Sequence, residues 1–182
     1  MITDVLMERA WLAPTAFVLL VLLAPVGCRW LIDRPRAARI AFACSLAPVA
    51  VTTLIPVSRR AFEFCAVQWA APTPSRVELV ANVVLFITPA AILAVLTRRP
   101  VLALVALVAL SGTIELVQAV VPAIGRSCDT TDWANNALGA AIGTGLGALV
   151  LWYDRLAGDG PGGSGSTPCP SAQNSGIAGA EG

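Results

Sequence analysis

Five long apolar stretches dominate this chain, and they restrict it to one class of fold. A helix needs roughly 20 mostly apolar residues to cross a hydrocarbon core of about 30 Å. The stretches run from Trp11 to about Val26, from Ala38 to Val57, from Val77 to Leu96, from Val101 to Val121 and from Trp133 to Trp152. In lipid every backbone N–H and C=O must be satisfied internally, so such stretches become helices. We therefore expect an all-α, polytopic membrane helix bundle with about five transmembrane helices. Of the 182 residues, 57% are hydrophobic and 13% charged. A soluble domain carries about 25% charged residues, so that class is excluded.

Composition removes several functions as well. His is absent, and with it imidazole general bases, Ser–His triads and His metal sites. The net charge of +1 supplies no field for nucleic acid, which is not expected as a partner. The five Cys include no C-x-x-C pair, so neither a zinc ribbon nor a thioredoxin-like site is expected. No metal and no cofactor is expected. Residues 153–182 form a Gly/Ser/Pro-rich tail that cannot bury enough apolar surface to order itself, and we expect it to be disordered.

The first stretch reads as a retained helix. Its leader holds Asp4, Glu8 and Arg9, and no small-x-small cleavage site precedes Arg29. Pro14 and Pro25 fall near its ends on this reading. Arginine placement sets the orientation. Arg29, Arg34, Arg36, Arg39, Arg98, Arg99 and Arg155 fall on one side; Arg9, Arg59, Arg60, Arg76 and Arg126 fall on the other. The dense group after the first stretch points to an outside N-terminus and a cytoplasmic tail. The second and fourth connections then face outward, with Cys65 in one and Cys128 in the other. A disulfide between them is chemically allowed in that oxidising compartment; five unpaired thiols are the alternative.

Polar residues inside apolar stretches are costly, by about 2.5–3.5 kcal/mol for a carboxylate, and must face protein. Glu115 lies some six residues from its helix end, with Gln118 on the same face. Glu78 opens the third stretch, one turn before Asn82. Asp132 opens the fifth and stands one turn before Asn136. Arg126 and Asp129 lie in the turn between the fourth and fifth. The topology brings all eight to one layer at one membrane face. Arg126 is the cation among four carboxylates and a bidentate partner for Asp132 or Glu115. The layer is either interhelical glue, with Asp132 a helix cap, or a pocket for a polar headgroup. Gly139, Gly143 and Gly147 mark a small-residue stripe beside Asp132 and Asn136. A neighbouring helix can approach closely there, or a second copy less readily. The oligomeric state is not legible. Phe62, Phe64 and Trp69 suit an interfacial aromatic belt.

The run ELVQAVVPAIGRSCDTTDWANNALGAAIG resembles the signature of the VanZ-like family of bacterial membrane proteins. The matching positions are Glu115 and Gln118, then Gly125, Arg126 and Ser127, then Asp132, Asn136 and Gly139. Upstream, Glu78, Asn82 and Phe86 match a helix start of the same family. The resemblance covers roughly residues 45–152. It implies a helical membrane protein of the cell envelope, named for a member linked to teicoplanin resistance. We accordingly divide the chain into an N-terminal segment with the first helix (1–36), a VanZ-like transmembrane domain (37–152) and the tail (153–182). Two departures matter. Thr88 stands where the family has proline, with Pro89 one later and Ala90 in place of glycine. The Asp-Lys and His often described near an early helix are missing.

Two functions follow as expectations. In the first, the chain is a non-enzymatic binder of a polar or lipid-linked envelope ligand, or of a glycopeptide-type compound. Membrane lipids surround it, and Arg126 and the carboxylates face the ligand. In the second, Glu115 is the general acid/base of an intramembrane enzyme, with Asp129 or Asp132 orienting the substrate or holding a divalent ion. A transporter fits less well, since five stretches show no inverted repeat.

Overall fold

The computed structural model describes residues 11–54, 65–73, 76–121, 123, 125 and 128–158. Among these the chain forms five helices and one pair of two-residue strands. In order they are α1 (Leu12–Ile32), α2 (Pro35–Leu54), β1 (Cys65–Ala66), α3 (Val77–Thr97), α4 (Pro100–Val120), β2 (Cys128–Asp129) and α5 (Thr130–Gly158). The expectations placed on Arg9, Arg59, Arg60, Phe62, Phe64, Arg126, Ser127 and residues 159–182 of the tail, with Cys169, lie outside the described residues; residues 153–158, assigned to a disordered tail by the sequence reading, instead continue α5.

The fold is an all-α bundle. Among the described residues four helices are long and apolar enough to cross a membrane, α1, α3, α4 and α5. Helix α2 carries Arg36 and Arg39 in its first two turns, ahead of an apolar run. Short turns set the antiparallel path. Proline opens both α2 and α4, where the missing N–H has no helical partner to lose. The turn before α4 is closed by Arg98 in the left-handed region (φ 54°), with its N–H on Val95 O at 3.3 Å.

Proline behaves differently from the sequence reading in α1. Pro25 sits inside that helix, which continues to Ile32, instead of near its end. Pro48 and Pro89 likewise lie inside α2 and α3. In soluble proteins an interior proline breaks a helix, but transmembrane helices tolerate it where neighbouring groups satisfy the freed carbonyl. Hydroxyls also bond back along α2, Thr52 to Pro48 O at 2.8 Å and Thr53 to Val49 O at 2.6 Å.

Helix α3 is the central element, with residues in all three apolar clusters. Phe86 and Ala90 meet Val49 of α2, Leu107 and Ile114 of α4 and Ala140 of α5. Ala91 and Val95 meet Cys28 of α1 and Val150 and Leu151 of α5. Ile92 meets Leu31 and Ala38 where α1 turns into α2. The outward faces of α1 and α4 stay apolar: Leu22, Leu23 and Val26 on the first, and Val101, Val105 and Leu116 on the second. That exposure suits hydrocarbon, not water.

The two ends of the bundle differ. At one end Asp154 of α5 pairs with Arg29 of α1 at 2.6 Å and stands 4.0 Å from Arg98. Arg34 stacks over Trp30 beside them, 4.5 Å from the ring centre. At the other end β1 and β2 pair in parallel, Cys65 opposite Cys128 and Ala66 opposite Asp129. A disulfide joins Cys65 to Cys128, with Cα atoms 4.5 Å apart. The alternative of five unpaired thiols is thereby set aside; Cys28 is a buried free thiol and Cys44 an exposed one. The strand pair is an element that the sequence reading lacked.

Candidate functional site

The site begins with a packing constraint. Helices α3 and α5 share the most extensive interface of the bundle. They can do so because Gly139 lies against the backbone of Val83, Gly143 against that of Ile87, and Gly147 against Ala91 and Ala94. A Cβ at Gly139 or Gly143 would overlap the carbonyl oxygen facing it, and one at Gly147 would stand 2.8 Å from Ala94 Cβ. The glycine stripe is thus filled within the chain, by α3, and not by a second copy. In lipid no hydrophobic driving force holds helices together, so such close backbone contact is what cements them.

Close approach at Gly139 carries the next residues of both helices together. Asn82, beside Val83, donates from Nδ2 to Asp132 Oδ1 at 2.7 Å. One turn deeper, Asn136 Nδ2 donates to Ser111 Oγ of α4 at 3.0 Å. Asn136 Oδ1 is buried and accepts no hydrogen bond among the described residues. Such an orphan costs on the order of 1–3 kcal/mol, which a purely structural network would be expected to avoid.

Glu115 and Asp129 form the second half of the layer. Glu115 is 8% exposed, and its Oε2 accepts the Asp129 N–H at 2.8 Å, fastening β2 to α4. Asp129 Oδ1 accepts the Thr131 N–H at 2.7 Å, and its Oδ2 accepts Gln68 Nε2 at 2.6 Å. Asp129 is therefore the cap of α5, because its carboxylate meets the second helical N–H. Asp132 lies inside the helix, which corrects the reading of Asp132 as the cap. Gln118 Nε2 donates to Thr53 O at 3.0 Å and so satisfies a carbonyl in the last turn of α2.

Glu78 stands apart from this network. It is exposed in the first turn of α3 and makes no hydrogen bond or ion pair among the described residues. Arg126, the expected cation of the layer, lies outside them. The adjoining Gly125 takes φ 67°, a left-handed conformation that suits glycine in this turn.

Two partners escaped the sequence reading. Gln68 is the hub of the second connection: its N–H donates to Thr130 Oγ1 at 2.9 Å, and its carbonyl accepts the hydroxyls of Thr130 at 2.6 Å and Thr131 at 2.9 Å. Its proximity to Cys65 was the available signal, because a bridge to Cys128 brings residues 66–68 beside 129–131. Ser111 was hidden among apolar neighbours, but it lies one turn from Glu115 on the same face. Trp69, read as an interfacial aromatic, is exposed.

The carboxylates border a cavity of about 240 Å³ lined by Gly112, Glu115, Cys128, Asp129, Thr130 and Trp133. It opens between α4 and α5, one wall being β2. A family model described as VanZ/LLP1 matches residues 11–151, from the start of α1 to the apolar end of α5. The chain belongs to the VanZ/LLP1 family. Comparison with curated proteins and with solved structures returned no match. In this VanZ/LLP1 membrane protein α3 and α4 both meet the start of α5: Asn82 on Asp132, and Glu115 holding the strand that leads into α5.

Proposed function

We propose that this VanZ/LLP1 protein is a non-enzymatic binder in the bacterial cell envelope. Its ligand is a polar or lipid-linked envelope compound, or a glycopeptide-type compound, met at the Glu115–Asp129 end of the bundle. One observation carries the reading: Asp129, which lines the cavity, pairs with no arginine among the described residues and is met there by neutral donors, Thr131 N–H and Gln68 Nε2. A carboxylate has about four acceptor sites, so both oxygens keep capacity for a ligand's ammonium or hydroxyl groups.

The same reading has the polar end facing outward, with the N-terminus outside and the tail in the cytoplasm. The disulfide supports this, since such bonds persist on the oxidising side of a membrane. The arginines at the opposite end support it too, by the positive-inside tendency. By family resemblance the consequence for the cell is altered sensitivity to glycopeptide antibiotics.

The test is direct binding. The protein in lipid nanodiscs is titrated with teicoplanin, with tryptophan fluorescence and calorimetry as readouts. Asp129→Asn removes the charge but keeps the shape, and it is expected to weaken binding about tenfold, as for one charge-assisted hydrogen bond. Equal binding by wild type and Asp129→Asn overturns the site, and no binding of teicoplanin overturns the glycopeptide ligand.

A further inference from the structure

The cavity does not end at Gly112. A longer groove of about 510 Å³ continues from it along the α4–α5 seam, lined by Leu104, Val105, Val108, Ala109, Gly112 and Trp133. From Leu104 to Glu115 the α4 wall rises about 16 Å, at 1.5 Å per residue. The groove is apolar for its first two-thirds and ends at two carboxylates. Its open side lies on the face of α4 that exposes Val101, Val105 and Leu116. In a membrane, what stands against such a face is lipid.

We infer that this groove holds one acyl chain of a membrane lipid whose primary ammonium headgroup is bound at Asp129. The inference rests on reading the carboxylate end as a ligand site, and it names the occupant by chemistry. Three observations join in it. Asp129 offers carboxylate oxygens that meet no cation among the described residues, and an ammonium group supplies both a positive charge and the N–H donors they can still accept. Trp133 lines both parts of the groove, and its indole N–H makes no hydrogen bond among the described residues. It can donate to a phosphate or ester oxygen between chain and headgroup. Gly112 keeps the two parts continuous: a Cβ there would already stand 3.5 Å from Trp133 Nε1, so a larger side chain closes the passage.

The headgroup discriminates this occupant from bulk lipid. Ethanolamine has N–H donors, whereas choline bears the same charge without them. Wild-type protein is reconstituted with phosphatidylethanolamine or phosphatidylcholine carrying the same photoreactive acyl chain. The labelled residues are then mapped by mass spectrometry. Labelling of residues 104–112 and of Trp133 is expected to be about tenfold higher from the ethanolamine lipid. Asp129→Asn should abolish that preference, and Gly112→Leu should abolish the labelling. The wild-type comparison needs no variant, so a misfolded Gly112→Leu does not remove the test. Equal labelling from both lipids, or labelling confined to the outer face of α1, overturns the inference. Teicoplanin binding that persists with equal labelling leaves the proposed site standing; loss of both removes the site as well.

Discussion

Replacing Gly139 by Ala is the most incisive perturbation of the fold that builds the site. The added Cβ would overlap Val83 O and stand 2.9 Å from Val83 C, where real Cβ atoms essentially never come within 3.0 Å. The obstacle is backbone and cannot rotate aside, so α3 and α5 must part by about 1 Å. A gap of that size forfeits a quarter to a half of each dispersion contact along the seam. Overpacking of this kind costs about 1–3 kcal/mol. Asn82 is the neighbour of Val83, so its hydrogen bond to Asp132 weakens as well, for about 0.6 kcal/mol more. The better helix propensity of Ala returns up to ~1 kcal/mol. The net loss is about 1–3 kcal/mol, a 5- to 150-fold fall in the folded-to-unfolded ratio. Gly145 is the internal control, since a Cβ there meets nothing within 4 Å. The assay is thermal unfolding in detergent, followed by a thiol-reactive dye on Cys28, which is 3% exposed, in a background of Cys44→Ser with Cys169→Ser. Gly139→Ala should unfold several degrees below Gly145→Ala. Equal midpoints would refute the account of the α3–α5 seam.

Three further outcomes follow from the same contacts. Replacing Cys65 and Cys128 together by Ser opens the loop of sequence separation 63 and should lower stability by up to ~4 kcal/mol on the chain-entropy account, read by the same dye assay. Asp154→Ala removes partly exposed ion pairs to Arg29 and Arg98 and should cost no more than about 1 kcal/mol; a larger loss would mean that this end is more tightly coupled than its exposure implies. Glu115→Gln retains a carbonyl oxygen for the Asp129 N–H, so β2 should stay fastened to α4 and the Cys65–Cys128 bridge should still form, checked by counting thiols before and after reduction.

Much of this architecture is legible in the chain because the bilayer imposes so few solutions. The apolar runs that become α3, α4 and α5 were readable from length alone, and the Gly139–Gly143–Gly147 stripe announced a close helix neighbour. What the sequence left open was which helix. Asn82 and Val83 settle it in space, since they sit against Asp132 and Gly139 from α3. The end of α1 was misread because Pro25 looks like a terminator, yet a membrane helix carries it through. Asp132 looked like the cap of α5 because it opens the apolar run; the true cap is three residues earlier, where Asp129 meets the Thr131 N–H. The role of Gln68 was hidden for a different reason. Its partners Thr130 and Thr131 lie more than 60 residues away, and only the Cys65–Cys128 bridge and strand register bring them together. Glu78 shows the converse: helical spacing puts it one turn from Asn82, but in the first turn of α3 it is Val77 and Leu79 that are buried, and Glu78 between them is left exposed.

The central claim is that the Glu115–Asp129 end of the bundle faces out of the cell as a ligand site. Intact cells treated with a membrane-impermeant maleimide, before and after mild reduction, test it most directly. The account predicts that Cys65 and Cys128 label only after reduction while Cys169 stays unlabelled. Labelling of Cys169 in intact cells, with Cys65 and Cys128 silent even when reduced, would place the carboxylate end in the cytoplasm and contradict it.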